Sequence, residues 1–316
     1  MYLLCENPIV FGHVDIGDLD MLKHHAPPRC ELHAFVRMHW NSAPWKRVLK
    51  RVLDQRRASP LRIHWMCNTM QEMGRLRLLG QRAQHCHHNL FCSEWKFRVG
   101  TAPERKWHAV YIAAFVPYKR PWLAASVPRL RFITRALPVG SRPIEYGCEH
   151  AVINESLVPH DQVVSILNES HCGLALSAEE GGMYAITEYL LCGLPVVTTP
   201  SIGGRDVWYT PDNHLLVPPH REAVAAAVQH LVTHPPDPQR IRKDALQLMG
   251  IFRKRYVDYL NKLAGKAISV QELFGDEECL LKRFVLQCNL PELLRSYDGK
   301  MFQARQLIGS KIQEPL

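Results

Sequence analysis

The sequence predicts an α/β protein with two Rossmann-like halves in series, and three observations support this fold class. Short apolar segments alternate with amphipathic, helix-forming segments, which is typical of parallel sheets covered by helices. A polar stretch containing Gly and Pro, RVGTAPERK at 98–106, separates a first alternation from a second and is typical of a linker. The 316 residues are sufficient for two domains of ordinary size.

The first alternation predicts a short α/β domain over residues 1–103. Its apolar segments are bounded by polar or turn-forming residues, as expected of short strands. The predicted strands are MYLLCEN (1–7), CELHAFVRM (30–38), LRIHWMCNT (61–69) and HCHHNLFCS (85–93), and the predicted helices are PWKRVLKRVLDQRR (44–57) and TMQEMGRLRLLG (69–80).

The second alternation is more regular and predicts a domain over residues 104–235. A helical tail, 236–316, follows it and could pack back on the N-terminal domain. The predicted strands are WHAVYIAAFV (107–116), RLRFITRAL (129–137), EHAVINESL (149–157), CGLALSA (172–178) and LPVVTT (194–199). The predicted helices are PYKRPWLAASV (117–127, after a turn), PHDQVVSILNES (159–170), GMYAITEYLLCG (182–193) and REAVAAAVQHLV (221–232).

Composition narrows the class of protein. The formal charge of +9 favours anionic partners such as nucleotide phosphates, nucleic acid or an anionic membrane surface. Nucleic acid is not expected, because the basic residues lack interleaved aromatic platforms. The ten scattered cysteines, the absence of a signal-peptide pattern at residues 1–20 and the lack of an apolar run of spanning length predict a cytoplasmic protein. It could lie peripherally at the inner face of the membrane.

Glu180 and Glu188 flank a glycine turn and the first part of a predicted helix. Glu180 and Gly181–Gly182 follow the strand CGLALSA, at the edge where parallel sheets bind ligands. The amides near Met183 and Tyr184 would form a helix N-terminus, which favours anions. Carboxylates accept paired hydrogen bonds from vicinal hydroxyls, so the pattern suits a nucleotide sugar. The alternative is an ordinary turn before a helix whose glutamate faces solvent, but the apolar neighbours of Glu188 favour a buried carboxylate.

Residues 107–232 resemble the donor-binding domain of retaining GT-B glycosyltransferases, in particular glycosyltransferase family four (group 1 type). The family signature of two glutamates separated by seven residues matches Glu180, GGMYAIT and Glu188. The segment CGLPVV (192–197) and the pair Gly203–Gly204 follow in the family's order. AAFVPYKRP (113–121) resembles the family's basic loop and places Lys119 at the lysine position, and NHLLVPPHREAVAAAVQHLV (213–232) resembles the segment that closes the domain.

The resemblance implies a GT-B fold, a cleft between two domains and a role for each matched residue. Glu180 would hold hydroxyls of the transferred sugar with the amides of Gly182 and Met183, Glu188 would hold the ribose, and Lys119 would contact the diphosphate. Ala114 takes the place of the family's arginine. Arg120 or Arg205 could supply the missing cation. The predicted donor-binding set is therefore Glu188, Arg120, Gly181, Gly182, Met183, Tyr184 and Arg205.

The first half offers fewer candidate residues. His88, in the cluster HCHHN (85–89), could donate to a phosphate or sugar oxygen across the cleft, and we count it with Glu180 and Lys119 as catalytic. The alternative is a set of histidines on a partly buried strand. The cluster is too closely spaced for a tetrahedral metal site, so no metal is expected. His13 and Asp15 follow the first strand and could contact an acceptor.

The segment 44–57 has an apolar stripe at helical spacing with lysines and arginines on its flanks. The simpler interpretation is a core-facing helix with a solvated basic back. The alternative is contact with an anionic membrane surface or a lipid-diphosphate acceptor. Flotation with liposomes separates the two interpretations, since equal recovery with and without anionic lipid would exclude membrane contact.

Three functions remain open from the sequence. The first is a retaining, metal-independent hexosyltransferase-like enzyme that uses a UDP- or GDP-linked sugar without any other cofactor and acts on an acceptor hydroxyl, in the manner of cell-envelope or polysaccharide synthesis. The second is a non-catalytic nucleotide-sugar binder or partner subunit, which Ala114 and the short first half favour. The third is an epimerase of the same fold, against which the glutamate pair argues.

Overall fold

The computed structural model describes residues 1–26, 31–38, 61–100, 104–134 and 143–297. The predicted basic helix at 44–57 lies outside these ranges. The chain forms two compact units, one combining Met1–Phe91 with the part of the chain from Gly250 onwards, the other spanning Cys92–Met249. Their boundary falls within one long helix, and the domain limits at 103 and 235 stay predictions. No helix in the described ranges is long and apolar enough to cross a membrane.

The first unit contains a five-stranded sheet in the order β1-β2-β3-β4-β5. Its strands are β1 Tyr2–Glu6, β2 Ile9–Val14, β3 Leu32–Arg37, β4 Leu61–Cys67 and β5 Arg82–His85. Strand β1 pairs antiparallel with β2, and the other pairs are parallel. The sheet is therefore mixed, because a hairpin at the N-terminus adds a strand, β2, that the sequence analysis did not predict.

Helices from the N-terminal part and from the C-terminal tail belong to this unit. They are α1 Leu19–His25, α2 Met70–Leu78, α7 Val270–Phe274, α8 Glu277–Leu281 and α9 Leu290–Ser296. Leu290, Leu293 and Leu294 of α9 belong to the same buried cluster as Phe11 and Trp65 of the sheet. Apolar burial at about 25 cal/mol per Å² thus ties the helical tail to the N-terminal strands.

The cluster HCHHN does not lie on a strand, so the predicted strand over 85–93 is wrong beyond its first residue. Strand β5 ends at His85, and a 3-10 turn covers His88–Phe91. His88 and Leu90 are buried in this turn, and His87 is buried just before it. The apolar run that predicted a strand is instead buried by a compact turn after the last strand of the sheet.

The second unit contains a six-stranded parallel sheet in the order β13-β11-β9-β6-β7-β8. Its strands are β6 Trp107–Ile112, β7 Leu130–Ile133, β8 Val152–Ile153, β9 Ser170–Ala175, β11 Val196–Thr198 and β13 His214–Leu216. The strands β10 Glu179–Glu180 and β12 Ile202–Gly203 form a separate parallel pair. The helices are α3 His160–Asn168, α4 Tyr184–Leu191, α5 Arg221–Thr233 and α6 Pro238–Ala264.

Two predicted elements of this unit differ in the structure. The helix predicted within 117–127 is replaced by two 3-10 turns, Pro117–Lys119 and Pro121–Ala124, with Arg120 between them in the left-handed region at φ 50°. The two prolines cannot donate the hydrogen bonds that a continuous helix needs. The strand predicted over 149–157 is reduced to the two residues of β8.

The strand order creates the position at which such sheets bind ligands. From β6 the chain moves outward through β7 and β8, then returns to the other side of β6 to form β9. Neighbouring strands whose connections leave in opposite directions open a crevice at their carboxyl ends. Residues that follow β6 and β9 therefore line this crevice.

Gly173 allows α4 to pack closely on the sheet. A Cβ atom at Gly173 would lie 2.2 Å from the ring of Tyr189, which is fully buried. The main-chain N–H of Ile112 donates to the Tyr189 hydroxyl over 2.7 Å. The ring therefore lies against β9 and its hydroxyl reaches the end of β6, so that α4 is held beside the crevice.

Gly173→Ala should destabilise the protein by about 1–3 kcal/mol, because the added methyl group overpacks the ring of Tyr189. The matched control is Gly250→Ala, on an open stretch of α6 where nothing lies within 4 Å. The control should raise stability by up to about 1 kcal/mol through helix propensity. Thermal or urea unfolding measures both variants, and an unchanged stability of Gly173→Ala would contradict the packing argument.

Candidate functional site

The side chains of Lys119 and Glu180 meet at the carboxyl ends of β6 and β9. The Nζ of Lys119 lies 2.5 Å from Oε2 of Glu180, and each side chain is 13% exposed. Lys119 follows β6 and Glu180 follows β9, so the ion pair spans the crevice at which the strand order reverses. Both residues were predicted from the sequence, and the structure brings them together.

The loop that carries Lys119 is held by its main chain. The Tyr111 hydroxyl, at the end of β6, donates to the Lys119 carbonyl over 2.5 Å. The Tyr118 carbonyl accepts the main-chain N–H of Ala178 over 2.8 Å, which joins this loop to the one that carries Glu180. Lys119 is thus presented from a turn that is fixed to both strands of the crevice.

The loop that carries Glu180 is fixed by the short pair β10–β12. Gly203 lies opposite Glu180 in this pair, at φ 128°. A Cβ atom there would lie 1.7 Å from the Glu180 carbonyl oxygen. Only glycine accepts this close approach and this backbone conformation. Gly203 therefore allows β12 to hold the loop that carries Glu180 in place.

Glu188 is the fifth residue of α4 and faces no ionic partner. Its carboxylate makes no hydrogen bond or ion pair with any residue in the described ranges. The side chain is half-buried, and the surrounding protein raises its pKa from 4.5 to about 7, because burial disfavours the charged form. A carboxyl group held in this way is available to accept hydrogen bonds from a ligand.

The glycine turn and the start of α4 lie between the two glutamates. Gly181 accepts the main-chain N–H of Gly204 over 2.8 Å, and Met183 is the last residue before the helix. The side chain of Met183 makes no capping hydrogen bond to α4, which begins at Tyr184. Helix N-termini of this kind attract anions.

Arg205 and Arg120 are engaged with the main chain of the same loops. Arg205 is fully buried, and its guanidinium donates to the carbonyls of Ala175, Ser177 and Thr199 over 2.5–3.0 Å. Its Nε donates to Asp206 over 2.8 Å. These bonds support a role for Arg205 in holding the loops rather than in direct contact with a donor.

Arg120 is similarly engaged. Its Nε donates to the Leu176 carbonyl over 2.5 Å and its Nη2 to the Thr199 hydroxyl over 2.8 Å. Burial first, and then the charge of Arg205, lower the pKa of Arg120. The two guanidinium groups therefore lie close enough to repel each other, and together they hold positive charge beside the crevice.

Ala114 adds no cation to this crevice, and the role of His88 stays a prediction. His88 lies in the first unit, where its main-chain N–H donates to Asn68 and its Nδ1 lies 3.1 Å from the Met38 carbonyl. Ala114, two residues after β6, is half-buried. His13 lies within β2 at φ 53° and not after the first strand, which corrects the expected position of that residue.

Some residues that shape the crevice were not predicted. Tyr111 and Tyr189 position the two loops through their hydroxyls, whereas Tyr118 and Ile202 are more than half exposed beside Ala178. Tyr189 directly follows Glu188 within an apolar helix, which signals a buried aromatic residue. No sequence pattern predicts that Tyr118 and Ile202 are exposed at this position.

The family comparison agrees with the motifs. Residues 106–234 match the model of the family described as Glycosyl transferases group 1, which confirms the resemblance over this segment. No curated protein matches the sequence significantly.

Within the described ranges, no three His, Cys, Asp or Glu side chains are placed to hold a metal ion.

Solved structures share the fold at low sequence identity. Sucrose-phosphate synthase from Thermosynechococcus elongatus aligns with a TM-score of 0.56 at 16% identity, over 91% of this chain and 73% of that one. HepE from Anabaena, solved in complex with UDP, aligns with a TM-score of 0.55 at 13% identity, over 74% of this chain and 72% of that one. The pneumococcal O-GlcNAc transferase GtfA, solved in complex with UDP and GlcNAc, aligns with a TM-score of 0.54 at 12% identity, over 74% of this chain and 53% of that one. The fold is GT-B, as predicted.

Glu188→Gln should stabilise the empty protein at pH 8 by about 1–3 kcal/mol and leave it unchanged below pH 4.5. The pKa is about 7 in the folded protein against 4.5 for an ordinary glutamate, so burial of this group costs stability as pH rises between these values. Urea unfolding across this pH range measures the effect. Glu155→Gln, at an exposed position, is the matched control, and parallel pH profiles for wild type and Glu188→Gln would contradict the assignment.

Proposed function

We propose that the protein is a retaining glycosyltransferase that moves a sugar from a nucleoside-diphosphate sugar to an acceptor hydroxyl. The observation that carries the proposal is the Lys119–Glu180 ion pair at the strand reversal, with the unpaired carboxyl of Glu188 on the adjoining helix. A cation for the diphosphate and two carboxyl groups for hydroxyls are thereby assembled in one unit.

Glu188 is proposed to bind the ribose. Its carboxyl is half-buried, has no partner in the described ranges and has a raised pKa, so hydroxyl donors would satisfy it and favour its charged form. HepE and GtfA are solved in complex with UDP, which supports a uridine diphosphate sugar as the donor to test first. GDP-linked sugars stay the second choice.

Glu180 and Lys119 are proposed to act on the sugar and the diphosphate. In the structure the lysine is neutralised by the glutamate. When the donor binds, Lys119 would turn to the phosphate oxygens, while Glu180 would accept hydroxyls of the sugar with help from the amides of Gly182 and Met183. The lysine and the N-terminus of α4 would then offset the charge that develops on the leaving diphosphate, without a metal.

A retaining outcome is proposed by front-face displacement. Glu180 is paired with Lys119, and Glu188 is proposed to hold the ribose, so neither is assigned as a covalent nucleophile. The leaving phosphate would take the proton of the acceptor hydroxyl as the new glycosidic bond forms on the same face. His88 lies in the first unit, and its role on the acceptor side stays a prediction.

A second candidate is a non-catalytic nucleotide-sugar binder. Ala114 removes the family's arginine, and both nearby arginines donate to main-chain carbonyls. Such a protein would bind the donor through Glu188 but would neither transfer nor hydrolyse it. Calorimetry with UDP, GDP, ADP, TDP and their sugars, followed by donor hydrolysis with the tightest binder, separates the two functions.

Glu180→Gln should lower sugar transfer at least about 100-fold while nucleotide binding falls only modestly, because the lost carboxylate contacts the sugar. Glu188→Ala should instead raise the Kd for the nucleotide about 10-fold or more, since a charged acceptor of hydroxyl bonds is lost. Glu179→Gln, on the neighbouring residue, is the matched control for both. Wild-type activity in Glu180→Gln, or unchanged nucleotide affinity in Glu188→Ala, would refute the respective role.

A further inference from the structure

A second cluster of basic side chains lies at the opposite edge of the six-stranded sheet, at the amino ends of its central strands. It consists of Arg105, His108, Arg129 and His171, which we call the basal cluster. His108 is on β6, and His171 is on β9. Arg105 lies two residues before β6, and Arg129 directly precedes β7. None of these residues takes part in the crevice at the carboxyl ends.

The sheet sets the spacing of the basal cluster. Trp107 pairs with Ser170 and Ala109 with Cys172, so His108 and His171 are neighbours on adjacent strands. Their ring centroids are 6.1 Å apart and the rings are nearly perpendicular. The His108 main-chain N–H donates to the Arg129 carbonyl over 3.1 Å, and Arg105 reaches the His171 carbonyl with Nη1 at 3.4 Å.

The two imidazoles present hydrogen-bond donors to the outside. The Nδ1 atoms of His108 and His171 are buried and have no hydrogen-bond partner in the described part of the chain. A buried N–H without an acceptor is costly, so the proton of each neutral ring is placed on Nε2. Each Nε2 remains at the accessible surface. Both rings thus offer an N–H group.

Positive charge in the basal cluster is not neutralised by nearby carboxylates. Arg105 and Arg129 form no ion pair with residues in the described ranges. The neighbouring Glu169 is already paired with Lys106 over 2.9 Å. Burial first, and then the charges of the arginines, lower the pKa values of His108 and His171, so the four side chains lie close enough to disfavour additional positive charge.

We propose that the basal cluster binds a phosphate-type oxyanion through the guanidinium groups of Arg105 and Arg129 and the Nε2–H groups of His108 and His171. A tetrahedral oxyanion accepts hydrogen bonds from several directions, and all four side chains are donors. A metal ion fits less well, because two guanidinium groups repel a cation and only two imidazoles are available. The anion could be free phosphate or the headgroup of an anionic lipid.

Calorimetric titration with inorganic phosphate at constant ionic strength tests the site. Wild type should bind, and the double variant Arg105→Gln/Arg129→Gln should bind at least about 10-fold more weakly, because two charge-assisted donors are lost. Lys106→Gln is the matched control: it removes an adjacent positive charge that Glu169 already neutralises, and its Kd should stay close to that of wild type. Circular dichroism confirms folding, and if the double variant does not fold, Arg105→Gln alone should weaken binding several-fold.

Vesicles separate the two sources of the anion. Flotation with phosphatidylcholine vesicles, with and without phosphatidic acid, is compared for the same proteins. Recovery that needs phosphatidic acid and is lost in the double variant supports the site with a lipid headgroup as its ligand. Phosphate binding that is equal in wild type and the double variant would overturn the proposal. So would the absence of both phosphate binding and phosphatidic-acid-dependent flotation in wild type.

Discussion

The buried guanidinium of Arg205 determines where the loops beyond β9 and β11 can lie. It donates to main-chain carbonyls at the end of β9 and just beyond β11, and so helps to satisfy buried acceptors of both loops. Arg120 adds donors to the same two loops from the turn after β6. The three segments that meet at the strand reversal are therefore joined through side chains rather than through the sheet alone.

This arrangement concentrates positive charge behind the crevice. Asp206 offsets Arg205 and Glu180 offsets Lys119, while Arg120 donates only to uncharged oxygens. In the proposed complex the donor's diphosphate would replace Glu180 as the partner of Lys119. The contact between Glu180 and Lys119 reduces the cost of holding that cation partly buried.

The second unit was largely predictable because its alternation of strands and helices is regular, and Lys119, Glu180 and Glu188 occupy motif positions. Arg205 was expected to contact a ligand, but it is buried against main-chain carbonyls. Its burial could not be predicted, because no residue pattern shows where main-chain carbonyls will lie. The first unit was less predictable. Two adjacent apolar runs, Tyr2–Glu6 and Ile9–Val14, form a hairpin where one strand was expected. The apolar residues after His88 fold into a buried turn, because burial alone does not distinguish a strand from a compact turn.

The raised pKa of Glu188 would couple the proposed binding of the donor to the release of protons. With a pKa of about 7 this carboxyl is partly protonated near neutral pH, because its surroundings provide little solvation for a charge. Ribose hydroxyls that donate to the carboxylate would stabilise its ionised form, so donor binding would release protons to the solvent. The heat measured on binding near pH 7 would then depend on the ionisation enthalpy of the buffer, and the apparent affinity would rise with pH through this range.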